Sequence, residues 1–149
     1  MMTKVRNAAM AAMIAVCLTL ATALVVAPLS SAYAGASDPL FVNLTSDDAH
    51  RIDMALAFGG NQMRRGHPLT VFMNDKAVHA ASKANGAKFP TQQKTMADLL
   101  AAGARILVCP MCMKHYGVAE GDLLPGLQVG SPEMTGQALF QDGTKTLTW

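Results

Sequence analysis

Along residues 35–149, short apolar runs alternate with stretches of helical period, the signature of a parallel sheet whose strands are joined by crossover helices. Leu40-Phe41-Val42-Asn43-Leu44 reads as a first strand. Thr45 and Asp48 follow at capping-box spacing, with Asp47 and Asp48 as acids suited to a helix N-terminus. Ile52, Leu56, Gly59 and Met63 then recur on one helical face, and Arg64-Arg65-Gly66 supplies basic last-turn residues and a terminal glycine. Leu69 to Met73 is a second strand. From Asn74 to Lys94 the pattern weakens: a short helix over Ala77 to Ala84 is the most it predicts, broken by Asn85-Gly86 and Pro90. So long a connection suggests a lid, a binding loop, an oligomer contact or a surface excursion.

Thr95-x-x-Asp98 then predicts the start of a helix carrying Met96, Leu99 and Leu100, closed by Gly103. Arg105-Ile106-Leu107-Val108 is a third strand that runs straight into Cys109, and Leu127-Gln128-Val129 is a brief fourth. Ser131-Pro132-Glu133 combines a cap residue, a proline at the first helical position and an early acid. Gly143 is expected to end that helix, and Thr144 to Trp149 alternates as a final strand with Leu147 and Trp149 on one face. The expectation is an α/β domain with a mainly parallel sheet of about five strands.

The first 34 residues read differently. Lys4 and Arg6 precede an apolar run from Ala8 to Val26, and Pro28 leads to Ala32-Tyr33-Ala34, a small-x-small cleavage pattern. Residues 1–34 are therefore expected to be a cleaved signal peptide and residues 35–149 the mature domain, periplasmic or secreted. An uncleaved anchor is the alternative, disfavoured by Pro28 and the Ala-x-Ala site. Cys17 lies inside the apolar run and reads as signal filler. The whole chain has 12 basic and 10 acidic residues, so losing Lys4 and Arg6 leaves ten against ten. No basic stripe remains to suggest a nucleic-acid partner. No membrane contact is expected once the signal is gone.

Candidate chemistry gathers at Cys109-Pro110-Met111-Cys112-Met113-Lys114-His115. In open parallel sheets ligands collect at the carboxyl ends of strands. Cys109 stands there on the third strand, Asn43 with Thr45 on the first, and Asn74 with Asp75 on the second. Pro110 suits the first position of a helix, which would put Cys109 at a helix N-terminus that favours its thiolate, with Lys114 and His115 adding positive charge.

Several uses of this segment stay open. The two cysteines can form an inert disulfide or pack as small apolar residues. They can exchange disulfides as a C-x-x-C pair, although thioredoxin-like chains carry that pair early and this one follows the third strand. Cys109 and Cys112 with His115, Met111 and Met113 are soft ligands suited to Cu(I). Zinc lacks a second Cys/His pair, and covalent haem attachment needs a histidine where Met113 stands. Lastly, a thiolate at Cys109 can accept a sulfane sulfur as a persulfide, which Cys112 discharges by forming the internal disulfide. No resident cofactor is needed for that last chemistry.

The chain resembles the DsrE/DsrF-like (sulfur-relay) family. The likeness rests on Phe41-Val42-Asn43-Leu44-Thr45, Met54-Ala55-Leu56-Ala57-Phe58 and the run from Arg65 to Met73. It continues through Leu99-Leu100-Ala101-Ala102-Gly103-Ala104, Val108-Cys109-Pro110-Met111-Cys112 and Gly117-Val118. The resemblance implies a three-layer α/β/α sandwich that assembles as a homo-oligomer, a trimer or hexamer. In the sulfur-carrying members a cysteine at the end of this strand holds a persulfide, a position that matches Cys109. The expected function is thus exported sulfur handling, sulfurtransferase-like, with a sulfur donor or acceptor as partner. Cys109 is the acceptor, Cys112 the resolving thiol, and Lys114, His115, Asn43, Thr45 and Asn74 the supporting residues. Cu(I) binding and a non-catalytic oligomeric module remain the alternatives. His50, His67 and His79 read as turn or surface residues, and Met54, Met63, Met73, Met96 and Met134 as core.

Overall fold

A computed structural model describes residues 35–149; the signal-peptide reading of residues 1–34 lies outside the described residues. The strands are β1 (Leu40–Leu44), β2 (Leu69–Met73), β3 (Arg105–Val108), β4 (Gln128–Val129) and β5 (Lys145–Thr148). They form one sheet in the order β4-β3-β2-β1-β5. Every neighbouring pair is parallel, so the sheet is wholly rather than mainly parallel. The α-helices are α1 (Ala49–Arg64), α2 (Pro90–Ala101), α3 (Pro110–Tyr116) and α4 (Pro132–Leu139). Among the described residues no helix is long and apolar enough to cross a membrane.

Strand alternation sorts the core into two faces. Val42, Leu44, Val71, Met73, Ile106 and Val108 are buried in one cluster with Ile52 and Leu56 of α1 and Met96 and Leu99 of α2. Phe41 and Leu107 point the other way and are buried outside that cluster, as is Ala138 of α4. The Phe41 and Phe72 rings lie 6.3 Å apart on this second face. The chain steps from β1 to β2 to β3 in one direction and returns from β4 to β5 in the other. With right-handed crossovers this puts α4 opposite α1 and α2 and completes three layers.

Local chemistry explains most element boundaries. Asp48 alone caps α1, its carboxylate accepting the Arg51 N–H at 2.8 Å. Thr45 takes no part in that cap; its hydroxyl donates to the Trp149 carbonyl at 2.6 Å, fastening β1 beside β5. The helix ends in a Schellman-type turn in which Gly66 sits at φ +98 and the His67 N–H reaches the Gln62 carbonyl at 3.1 Å. Gly59 lets α1 lie close to the sheet, since a Cβ there would come within 3.0 Å of Leu69. Ser131 caps α4 by accepting the Met134 N–H at 3.2 Å, and Pro132 follows as expected.

The structure corrects several boundaries. The weakly patterned stretch is no surface excursion: it forms two 3-10 helices, Asp75–Ala81 and Lys83–Asn85. Ala77, Val78, Ala80 and Ala81 are fully buried, as is Phe89, and the chain is pinned there by Asn85 Nδ2 donating to the His79 carbonyl at 2.9 Å. Small residues at 3-10 period leave no amphipathic signal to read. Pro90 opens α2 rather than breaking a helix, five residues before Thr95-x-x-Asp98. Within α2, Thr95 bonds back to the Thr91 carbonyl at 3.0 Å and Asp98 pairs with Lys94 at 2.6 Å. Gly143 does not end α4, which stops at Leu139; it turns the chain into β5 at φ +78. Met54 is 49% exposed and so is not a core residue.

Candidate functional site

The end of β3 builds the site. The Cys109 N–H continues the ladder by donating to the Met73 carbonyl at 2.9 Å, after which the backbone turns and Pro110 starts α3. Cys109 is the N-cap, so its sulfur stands where a cap hydroxyl or carboxylate usually stands. That sulfur accepts twice from one residue: from the Cys112 backbone N–H at 3.3 Å and from the Cys112 thiol at 2.6 Å. Both thiols are free and half-buried. Burial, and then the bond it donates to Cys109, push the Cys112 thiol up from its ordinary value.

The end of β2 closes over the pair. Asp75 holds φ +47, alone among the described non-glycine residues in having a positive φ. Its carboxylate accepts the Tyr116 hydroxyl. That bond pushes the Tyr116 phenol up. Asparagine and aspartate tolerate the left-handed region better than other residues, yet holding one there costs roughly 1–3 kcal/mol and is commonest at functional sites. The Tyr116 ring is flanked edge-on by His79 at 5.0 Å and His115 at 4.7 Å. Next to them, the Lys88 ammonium at 2.9 Å from Asp47 holds that carboxyl below the usual carboxylate range.

Residues 40–149 match the DsrE/DsrF-like family. The chain belongs to that family. No curated protein matches it. Among solved structures it is similar to MTH1491, a protein of unknown function from Methanobacterium thermoautotrophicum, at 17% identity and a TM-score of 0.63, covering 74% of this chain and 98% of the other. It is also similar to the ychN protein of E. coli, at 17% identity and a TM-score of 0.58, covering 76% of this chain and 99% of that one. At such identities the likeness speaks for the fold.

In this DsrE/DsrF-like protein the predicted site residues divide. Cys109 and Cys112 come together at the carboxyl end of the sheet. Asn43 and Asn74 are joined side chain to side chain at the neighbouring strand ends, and Asn43 Nδ2 also reaches Thr148 Oγ1 at 3.5 Å. With Thr45 bound to Trp149, these three polar groups stitch β1, β2 and β5 together at their carboxyl ends. Lys114 and His115 occupy the last turn of α3, about 8 Å of helix rise from the N-cap, where they suit a helix C-terminus. Among the described residues no hydrogen bond joins either to the dithiol. The α3 helix has seven residues, and the groups that meet Cys109 Sγ are the Cys112 N–H and thiol.

The soft-ligand set is divided as well: Met113 is 5% exposed within the core, Met111 is 81% exposed, and His115 stacks on Tyr116. The two thiols are the groups placed to share a soft metal. The hollow lined by Leu40, Phe58, His67 and Leu147 lies toward the opposite ends of the strands, away from the thiols. Tyr116 escaped the sequence reading, and His79 was read there only as a turn or surface residue. Tyr116 had a signal, since it follows Cys112 by four residues and so shares its helix face. His79 had none, because it arrives through the fold.

Proposed function

We propose that this DsrE/DsrF-like protein is an exported sulfur carrier of the periplasm or extracellular space that holds a persulfide on Cys109 and discharges it through Cys112. The observation that carries this reading is the dithiol at the end of β3, where the Cys109 sulfur accepts both hydrogen bonds that Cys112 donates. The signal-like start at Lys4 and Arg6 and the Ala32-Tyr33-Ala34 site support export.

The chemistry balances without an added oxidant. Cys109 thiolate attacks the sulfane sulfur of a donor such as thiosulfate; a sulfur–sulfur bond forms on Cys109, the donor's bond breaks, and sulfite leaves with the electron pair. Cys112 then loses its proton and attacks Cys109 Sγ. The Cys109–sulfane bond breaks, and hydrosulfide departs with that pair and takes up the proton. Oxidation of two thiols to a disulfide matches reduction of the sulfane sulfur. Two equivalents of an external thiol, small or protein-borne, then reduce the Cys109–Cys112 disulfide through a mixed disulfide, themselves ending as a disulfide, and reset the pair. Assembly as a homo-oligomeric trimer or hexamer belongs to the same proposal.

Incubation of the mature chain carrying Cys112→Ser, which cannot discharge, with thiosulfate or polysulfide should add one sulfur atom to the intact mass, localised to Cys109 and absent in Cys109→Ser. An unchanged mass with both donors would sink the reading. Cu(I) binding is the second reading, favoured by the 2.6 Å approach of the two thiols. Competition with a Cu(I) chelator, lost on Cys112→Ser, would support it instead.

A further inference from the structure

The segment that leads into β1 folds back on itself. The Asp38 N–H donates to the Gly35 carbonyl at 3.2 Å, and the Gly35 N–H donates to Asp38 Oδ2 at 2.7 Å. The same carboxylate oxygen takes Lys145 Nζ of β5 at 3.1 Å, and the Asp38 carbonyl accepts from His67 Nδ1 at 2.8 Å. Glycine on both sides makes room for this carboxylate: a Cβ would stand 2.6 Å from Asp38 Oδ1 at Gly35 and 2.7 Å from it at Gly143. The bonds from Lys145 and the Gly35 N–H hold the Asp38 carboxyl below the usual carboxylate range, so it is charged at neutral pH. Gly35 is also the residue that follows the Ala32-Tyr33-Ala34 cleavage pattern. A seat for one nitrogen thus coincides with the peptide bond whose hydrolysis would free that nitrogen.

We propose that Asp38 is the receptor for the N-terminus that processing creates: its carboxylate binds the Gly35 α-ammonium as an ion pair and joins it through Lys145 to β5. The proposal rests on the export reading for the cleavage alone. A processing peptidase breaks the Ala34–Gly35 bond with one water, whose oxygen stays on Ala34 as carboxylate and whose two protons go to the Gly35 nitrogen. Before cleavage that nitrogen offers Asp38 one neutral N–H. Afterwards it offers a full charge and three donors, and charge-assisted hydrogen bonds are about twice as strong as neutral ones. Lys145 of β5 and His67 of the turn before β2 are the other titratable groups that face Asp38. Both are bases, so they oppose the new charge, and the carboxylate in contact with it outweighs them. The strand that gains is an edge: β5 has four exposed residues and pairs on one side with β1. Processing therefore fastens the open margin of the sheet.

The test titrates the new terminus directly. The chain from Gly35 is released from a fusion by a protease that leaves no added residue. Its α-amino group is then acetylated in competition with a free amine across a pH series, and labelling is read on the N-terminal peptide by mass. Against an ordinary α-amino value of about 7.7–8.0, the Gly35 group should titrate higher, so its labelling near pH 7 should run about threefold slower than in Asp38→Asn. Lys145→Gln removes a competing cation and should hold the value at or above that of the wild type. A chain begun one residue earlier, at Ala34, keeps Asp38 but moves the ammonium off its seat, and should label as fast as Asp38→Asn. Equal labelling of the Gly35 chain and Asp38→Asn, or of the Gly35 and Ala34 chains, overturns the proposal. These measurements need no cellular processing, so they can fail while the export reading stands. The N-terminal residue of the protein recovered from the exporting cell tests that reading separately, and a terminus other than Gly35 there overturns the proposal from the side of processing.

Discussion

The Cys112 thiol donates to Cys109 Sγ across 2.6 Å while the Cys112 backbone N–H meets the same sulfur at 3.3 Å. Two cysteines three positions apart are thereby made unequal: one sulfur receives, and the other holds its proton. A C-x-x-C spacing by itself is symmetric. Placement of the first cysteine at the N-cap makes the difference, because the cap side chain accepts from the third residue beyond it.

That inequality predicts different fates for the two serine variants. Cys109→Ser should abolish sulfur loading. Cys112→Ser should still load but be unable to form the internal disulfide, so the persulfide should outlast that of the wild type by at least about tenfold. Intact mass followed over time after removal of the donor checks both. Equal loading of the two variants would assign the acceptor wrongly.

A pH dependence of stability follows from Cys112. Its folded value lies above its unfolded one. Below the ordinary thiol value, about 8.5, both states hold the proton and the contribution is fully present. As pH rises from there through the folded value, the unfolded state releases its proton first, the folded state binds more protons, and stability falls. Tyr116, also pushed up, acts in the same direction at higher pH. Urea midpoints of the reduced protein at about pH 8 and about pH 10 should therefore differ more for the wild type than for Cys112→Ala.

Phe89 should behave as a core residue although it sits in the stretch that looked like a loop. It is fully buried, so Phe89→Ala should cost about 3–5 kcal/mol of folding free energy, a large share of a small domain's total. Urea denaturation monitored by circular dichroism reads it. A loss below about 1 kcal/mol would mean that the stretch is not packed.

Gly59 should resist enlargement. A Cβ there meets Leu69 at 3.0 Å, so the neighbour must give way for alanine and by more for valine. Gly59→Val should destabilise by about 1–3 kcal/mol, with Gly59→Ala clearly milder, as read from the same urea transitions. A neutral Gly59→Val would show that α1 can lift from the sheet at no cost.

Much of this protein was legible in its local pattern. The bounds of β1, β2 and β3, the Ser131-Pro132 start of α4, and the standing of Cys109 where a strand becomes a helix all follow from side-chain period and cap chemistry, which act over a few neighbouring residues. Where local signals were absent or had rivals, three-dimensional packing took over. The alanine-rich turns after β2 carry no amphipathic period, and their burial depends on what α2 and α3 leave open above the sheet. Met111 and Met113 are two positions apart, yet α3 turns one to solvent and the other into the core, because successive residues on a helix face different ways. Asp75 and His79 meet Tyr116, one turn beyond Cys112 on α3, from a segment far off in the chain, a convergence created by the parallel pairing of β2 with β3. Short-range chemistry can place a thiol at the end of a strand. Which groups surround it depends on contacts between distant segments, and those form only as the sheet assembles.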